Sequence, residues 1–214
     1  MSLPSARDSS ETLVDPTPQI SVDSFNSVTS SVPSPSTRFI YQLDTTTGDI
    51  LVIEESTGEV KFTIKVSKEG SEEGNEICVL YEGKSKIAEM TEESLITKDG
   101  IDIRWSKFYK TSWFSRQSTW NGADEKRYSW GKPARHAKPN EIKLLDVSTK
   151  EIVASVQLAT NGEPKSLTVS DSALPSLELI IVTYTHRMLK ERIERRRQKR
   201  QAIEDDEEHD MMTW

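Results

Sequence analysis

The chain has 214 residues and a formal net charge of −7, which argues against a general affinity for nucleic acid. Its single cysteine, Cys78, excludes an internal disulfide and favours an intracellular setting. The N-terminus lacks the apolar core of a signal peptide, so the predicted compartment is the cytoplasm, with the nucleus and the membrane periphery as alternatives.

Residues 1–37 are rich in serine, threonine and proline and end in Ser31-Val32-Pro33-Ser34-Pro35-Ser36. Such a segment has too little apolar surface to offset the entropy lost on ordering, so it is predicted to be a disordered tail. The Ser34-Pro35 step also makes phosphorylation of this tail a possibility, although a plain solvating tail is the simpler interpretation.

From Arg38 the sequence changes to short alternating apolar runs separated by glycine-containing turns such as Thr47-Gly48-Asp49 and Glu82-Gly83-Lys84. Closely spaced strands without intervening helices indicate an antiparallel barrel or sandwich. The predicted strands are 39–43, 50–53, 60–66, 77–81, 86–90, 95–97, 101–105, 127–131, 142–146, 152–158 and 166–169.

Residues 174–193 form the most apolar stretch and are predicted to be a helix. Leu177, Ile181, Tyr184 and Met188 recur at three- and four-residue steps, and Pro175 suits a first turn. The first two turns are apolar on nearly every side, which predicts burial on every side. A membrane span is not predicted, because a span needs about 20 apolar residues and cations begin at position 187.

One apolar helix after about a dozen strands predicts a mainly β fold, in which an antiparallel β-barrel of about ten to twelve strands surrounds the C-terminal helix. Closure of the sheet would also remove its exposed edges. The predicted domain covers residues 38–197, with the helix from about 174 and a charged tail over 198–214.

This pattern resembles the tubby C-terminal-like superfamily, and within it a fungal domain family of unknown function. The resemblance runs from about Arg38 to Arg197. Its main segments are Ile101-Asp102-Ile103-Arg104-Trp105, Lys110-Thr111-Ser112-Trp113-Phe114, the stretch from Trp120 to Trp130, Lys143-Leu144-Leu145-Asp146, Val153-Ala154, and Leu179-Ile180-Ile181-Val182-Thr183 leading into Glu194-Arg195-Arg196-Arg197.

The superfamily includes phosphoinositide-binding tubby domains, phospholipid scramblases and the plant LURP-one-like family. The resemblance therefore implies a barrel around a hydrophobic helix, and a module that binds membrane lipid or a protein partner. None of tubby's lipid-contacting residues can be aligned with a position in this chain, so none is carried over.

No catalytic, cofactor or metal site is predicted. His136, His186 and His209 are far apart and lack neighbouring ligands at metal-binding spacing. Gly83-Lys84-Ser85 lies between strands, whereas a phosphate-binding loop opens a helix. Cys78 lies in an alternating apolar run and is expected in the core, so the protein is expected not to be an enzyme.

Aromatic residues alternate with cations between positions 104 and 130. Such a mixture suits lipid headgroups or single-stranded nucleic acid, but large aromatics also fill barrel cores, and the packing interpretation is favoured. Trp113 and Phe114 are expected to be the most exposed pair. The candidate ligand-binding residues are Arg104, Lys110, Trp113, Arg116, Lys126 and Arg127.

A second basic cluster follows the predicted helix and is a candidate nuclear localisation signal or anionic-lipid patch, comprising Arg195, Arg196, Arg197, Lys199 and Arg200. The helix dipole alone also favours cations near a helix C-terminus. An acidic run over 204–208 follows directly, and a tail folded back to screen the cluster is the favoured interpretation. Nuclear import of a regulatory protein is the alternative function, and the oligomeric state is left open.

Overall fold

The computed structural model describes residues 35–68, 76–111, 118–131 and 140–211, together with Val32. The strands are β1 (Ser36–Leu43), β2 (Ile50–Glu54), β3 (Val60–Lys68), β4 (Glu76–Glu82), β5 (Ser85–Met90), β6 (Ser94–Thr97), β7 (Asp102–Arg104), β8 (Lys110–Thr111), β9 (Ser118–Asn121), β10 (Arg127–Trp130), β11 (Glu141–Asp146), β12 (Ile152–Leu158) and β13 (Pro164–Ser170). The helices are α1 (Trp105–Phe108), a 3₁₀ turn (Asp171–Ser176) and α2 (Leu177–Met211).

The described strands form one 13-stranded sheet in the order β7-β6-β5-β4-β3-β2-β1-β13-β12-β11-β10-β9-β8. Each pairing is antiparallel, and β1 joins the two halves of the chain by pairing with β13 as well as β2. The predicted mainly β fold with a C-terminal helix is confirmed. Sequence reasoning missed β8 and β9 and assigned Trp105 to a strand, whereas it begins α1.

The hydrogen-bonded sheet is open in the described residues, because no pairing joins the outermost strands β7 and β8. These two strands are nevertheless consecutive in the chain and are separated only by α1 and Tyr109. The indole ring of Trp105 in α1 stacks on the His186 ring of α2 at 3.7 Å between centroids. The two edges are therefore linked by a short helix that packs on α2, and the closed barrel wall remains a prediction.

The first half of α2 is enclosed, as predicted. Seven consecutive residues, 180–186, are buried. Because successive helical residues point about 100° apart, seven buried in a row leave no side of the helix facing water. Rings from distant parts of the sheet order reach it: Tyr41 of β1 and Trp130 of β10 both lie against Tyr184. The sheet therefore wraps around α2.

The second half of α2 leaves the sheet. Residues 194–203 are all exposed, and the helix continues to Met211, so the predicted tail over 198–214 begins within it. The acidic run over 204–208 lies in the same continuous helix as the basic cluster, and its backbone therefore does not fold back as expected. No described helix has an 18-residue stretch apolar enough to cross a membrane.

A hydrogen-bonded contact ties the turn between β9 and β10 to the start of α2. The Asp124 carboxylate accepts hydrogen bonds from the Tyr128 hydroxyl at 2.5 Å and from the Ser176 hydroxyl at 2.8 Å. Partial burial raises the pKa of Asp124, but these hydrogen bonds outweigh it and hold the pKa below its ordinary value. Gly122 lies directly against the same three side chains.

A Gly122→Ala variant is expected to be destabilised by about 1–3 kcal/mol, because its Cβ would overpack this contact. The added carbon would lie 2.5 Å from both Asp124 Oδ1 and Tyr128 Cε2 and would also overlap the Ser176 hydroxyl. Urea denaturation would measure the change in the free energy of unfolding. The matched control is Gly131→Ala, whose Cβ would have the Lys143 carbonyl oxygen as its nearest contact at 3.4 Å. Equal stability of the two variants would contradict the prediction.

Candidate functional site

Most of the aromatic residues considered as ligand contacts are part of the core. Trp105, Trp120 and Tyr128 are buried, and the half-buried Trp130 donates its indole N–H to the Thr183 hydroxyl of α2 at 3.0 Å. The packing interpretation therefore holds for these residues. Two of the predicted ligand residues, Trp113 and Arg116, lie outside the described residues, as does Phe114.

The four remaining predicted ligand residues, Arg104, Lys110, Lys126 and Arg127, are all exposed. Arg104 is the N-cap of α1, and Lys107 in the same helix is also exposed. Positions i and i+3 of a helix are neighbours on its surface. Because only Tyr109 separates α1 from β8, Arg104, Lys107 and Lys110 lie within one short segment of the chain.

Strand register places Lys110 and Arg127 on the same face of the sheet. Lys110 pairs with Thr119 and Arg127 with Asn121. Residues opposite each other in an antiparallel pair share a face, and so do residues two apart in one strand. Two strand spacings and a two-residue offset put these two Cα atoms about 12 Å apart. We call the group Arg104, Lys107, Lys110, Lys126 and Arg127 the basic edge.

Four cations of the basic edge have no described carboxylate at ion-pair distance. Among the described residues, no carboxylate lies within 4 Å of the charged groups of Arg104, Lys107, Lys110 or Arg127. Lys126 has only a distant partner, Asp124, at 3.9 Å. In a protein with net charge −7, four exposed cations without a described ion pair are a candidate anion-binding group. Lys107 is one of the cations that alternate with the aromatic residues in the sequence, but it was not among the predicted ligand residues.

The C-terminal basic cluster is different, since its arginines face carboxylates. Arg197 makes a two-pronged contact with Glu92 at 3.0 and 2.8 Å, and Arg196 bonds to the buried Glu76. These two ion pairs link α2 to the β-sheet domain near the point where the helix leaves it. Arg195 lies 3.8 Å from Glu191 of its own helix. Lys199 and Arg200 are also exposed, and nuclear import through this cluster stays a prediction.

The described histidine and cysteine side chains are buried in the core. His186 stacks against Trp105, and burial, reinforced by the Lys190 charge, lowers its pKa to about 3, which keeps it neutral. Burial raises the pKa of Cys78 to about 11, so its thiol carries no nucleophilic thiolate near neutral pH. His136 and the His209 side chain lie outside the described residues.

No family model and no curated protein matches the chain. Among solved structures, the chain is similar to the X-ray structure of a protein from Arabidopsis thaliana, AT5G01750, with a TM-score of 0.41 and 10% sequence identity. The match covers 73% of this chain and 90% of the Arabidopsis chain. The fungal family assignment stays a prediction.

Proposed function

We propose that this protein is a non-catalytic binding module that docks on anionic membrane lipid, including phosphoinositides, through the basic edge. The observation that carries the proposal is the group of four exposed cations without a described carboxylate partner. Cations already held in a close ion pair gain little from a second anion, whereas these cations keep their full attraction for one. A protein partner with an acidic surface is the alternative ligand.

The expected affinity is modest and depends on salt. Each Lys or Arg near an anionic membrane surface contributes about 1 kcal/mol, and the attraction fades over a Debye length of about 8 Å at physiological ionic strength. The −7 net charge of the whole chain opposes general adsorption. Docking therefore requires that the protein present the basic edge to the membrane, with the acidic end of α2 turned away.

The double variant Lys110→Gln/Arg127→Gln is expected to bind anionic vesicles about 30-fold more weakly, because it removes two cations worth about 1 kcal/mol each. Flotation with phosphatidylcholine vesicles, with and without phosphatidylserine or a phosphoinositide, would measure the bound fraction at low and physiological salt. Both side chains are exposed, so the variant is expected to fold normally.

The matched control is Arg38→Gln/Lys61→Gln, which changes the net charge equally but removes cations already paired with Glu55 and with Glu54 and Glu59. The control is expected to float like the wild type. If neither lipid shifts the wild-type protein at low salt, the lipid proposal is wrong. If both variants bind equally, the basic edge is not the binding surface.

A further inference from the structure

A separate cleft lies at the other basic region, between α2 and the turn that joins β12 to β13. Its volume is about 290 Å³, near the lower limit of small-molecule pockets at roughly 300 Å³. One face of α2 supplies Met188, Arg192 and Arg195, and the turn supplies Gly162 and Glu163. Glu191 and Arg196 of α2 also line the cleft, and Arg196 is already bonded to Glu76. The cleft therefore has an apolar thioether beside the guanidinium groups of Arg192 and Arg195.

The guanidinium groups of Arg192 and Arg195 have N–H donors that make no hydrogen bond to the described residues. Arg192 lies 3.6 Å from Glu163, and Arg195 lies 3.8 Å from Glu191. Both separations exceed the length of a charge-assisted hydrogen bond, about 2.7–2.9 Å. Neither group donates a hydrogen bond to another side chain or backbone oxygen within the part of the chain that the structure describes. The neighbouring Arg197 shows the contrast, because Glu92 satisfies it at 2.8 and 3.0 Å.

Gly162 explains how Arg195 reaches over the turn. This residue has φ +80°, a conformation that favours glycine, and a Cβ there would lie 3.4 Å from Arg195 Nη2. The turn closes through hydrogen bonds from the Gly162 N–H to the Ala159 carbonyl at 2.9 Å and from the Glu163 N–H to the Asn161 side chain at 3.0 Å. The wall opposite α2 is thus a fixed turn.

A second observation concerns a small void next to the cleft. Met188 and Arg192 also line a small adjoining void of about 10 Å³, which reaches Thr185 and Cys78. The Thr185 hydroxyl is buried and has no hydrogen-bond partner among the described residues. A buried hydroxyl without a partner costs about 1–3 kcal/mol, so such groups usually have a water or ligand contact. The void is about the size of one water molecule.

We propose that this cleft binds a phosphate monoester through the guanidinium groups of Arg192 and Arg195. A phosphate dianion matches two guanidinium charges and accepts the paired N–H groups that each presents. A water in the adjoining void would link the phosphate side of the cleft to the Thr185 hydroxyl. Glu163, at 3.6 Å from Arg192, is a loosely held counterion that the phosphate displaces. Glu191 accepts a hydrogen bond from Arg187 at 3.1 Å, which holds its carboxylate away from Arg195. The site is distinct from the basic edge and does not depend on the proposed membrane docking.

Arg192→Gln and Arg195→Gln are each expected to weaken phosphate binding roughly 10- to 100-fold, the effect of losing a charge-assisted contact. Isothermal titration of the full chain with inorganic phosphate or phosphoserine, against chloride at matched ionic strength, would measure the dissociation constant. Arg197→Gln is the control, because that side chain is satisfied by Glu92 outside the cleft. Arg195→Lys keeps the charge without the planar fork and is expected to give an intermediate affinity.

A lipid-presented phosphate is tested separately, with phosphoinositide vesicles and protein carrying Lys110→Gln/Arg127→Gln. If this protein still floats with the vesicles and adding Arg195→Gln abolishes that flotation, the ligand of the cleft is a lipid headgroup. If Arg195→Gln weakens binding only in the soluble titrations, the ligand is a free phosphate ester. The proposal is overturned if phosphate binding does not saturate in either arm, or if Arg195→Gln and Arg197→Gln bind equally well. Failure of membrane docking alone leaves the soluble titration as an independent result.

Discussion

The wild-type protein is expected to lose about 2.5 kcal/mol more stability than a His186→Phe variant between about pH 7 and about pH 4.5. In the folded state the pKa of His186 is lowered from 6.5 to about 3. Over this pH range His186 therefore becomes protonated in the unfolded state but stays neutral in the folded state. The contribution of neutral His186 to the free energy of unfolding is complete above the unfolded pKa of 6.5, and it is lost as the pH drops toward 3.

The surroundings of His186 explain why it stays neutral. Burial is the largest cause, and the Lys190 charge adds to it, whereas the Glu92 backbone near the ring weakly opposes the shift. Trp105 covers one face of the ring at 3.7 Å. The Tyr109 hydroxyl lies 3.3 Å from Nδ1, and Nε2 has no partner of normal hydrogen-bond geometry in the described residues. A second ring N–H would thus be buried without an acceptor.

Urea denaturation at a series of pH values would measure this difference. Phenylalanine keeps the aromatic stack but does not titrate, so the variant's remaining pH dependence reports all other groups. Tyr109→Phe is the matched control, because it removes the hydroxyl partner yet keeps the histidine and should retain the wild-type pH dependence. Parallel stability curves for the wild type and His186→Phe would show that the ring is accessible to water when folded.

The strands and the long helix were predictable because each has a strong periodicity of its own. Alternation marked all eleven predicted strands, and three- and four-residue spacing marked α2. The segment from α1 to β9 was not predictable in this way. β8 has two residues, too few for a periodic pattern, and α1 starts at Trp105, where alternation predicted a strand. Stacking on His186, 81 positions later in the chain, provides a tertiary contact for α1 that no local pattern contains.

The candidate sites, like the fold, were predictable from the sequence only in part. Exposure of Arg104, Lys110, Lys126 and Arg127 followed from their alternation with buried aromatics. The sequence did not show which cations lack a carboxylate partner, because the ion pairs join residues far apart in the chain. Arg196 pairs with Glu76 across 120 positions and Arg197 with Glu92 across 105. The sequence therefore identified two basic clusters without indicating that carboxylates from the sheet neutralise arginines of the second.

A Tyr184→Ala variant is expected to lose about 3–5 kcal/mol of stability, the usual cost of truncating a large buried aromatic. Tyr184 is 1% exposed and lies midway along the enclosed part of α2. Its ring centroid is 6.1 Å from that of Tyr41 and 5.5 Å from that of Trp130. These partners belong to β1 and β10, so truncation removes contacts with two distant parts of the sheet at once.

This variant tests whether the sheet encloses α2 more directly than a change at an edge strand. A helix lying on one face of an open sheet has room to shift toward a truncated side chain, whereas an enclosed helix leaves a cavity, and the cost of a cavity grows with the volume that cannot collapse. Urea denaturation of Tyr184→Ala, with the exposed Gln198→Ala in the same helix as control, separates the two arrangements. The control should change stability by no more than about 0.5 kcal/mol. A loss below about 1 kcal/mol for Tyr184→Ala would mean that α2 can move within the sheet, and the enclosure inferred from residues 180–186 would be wrong.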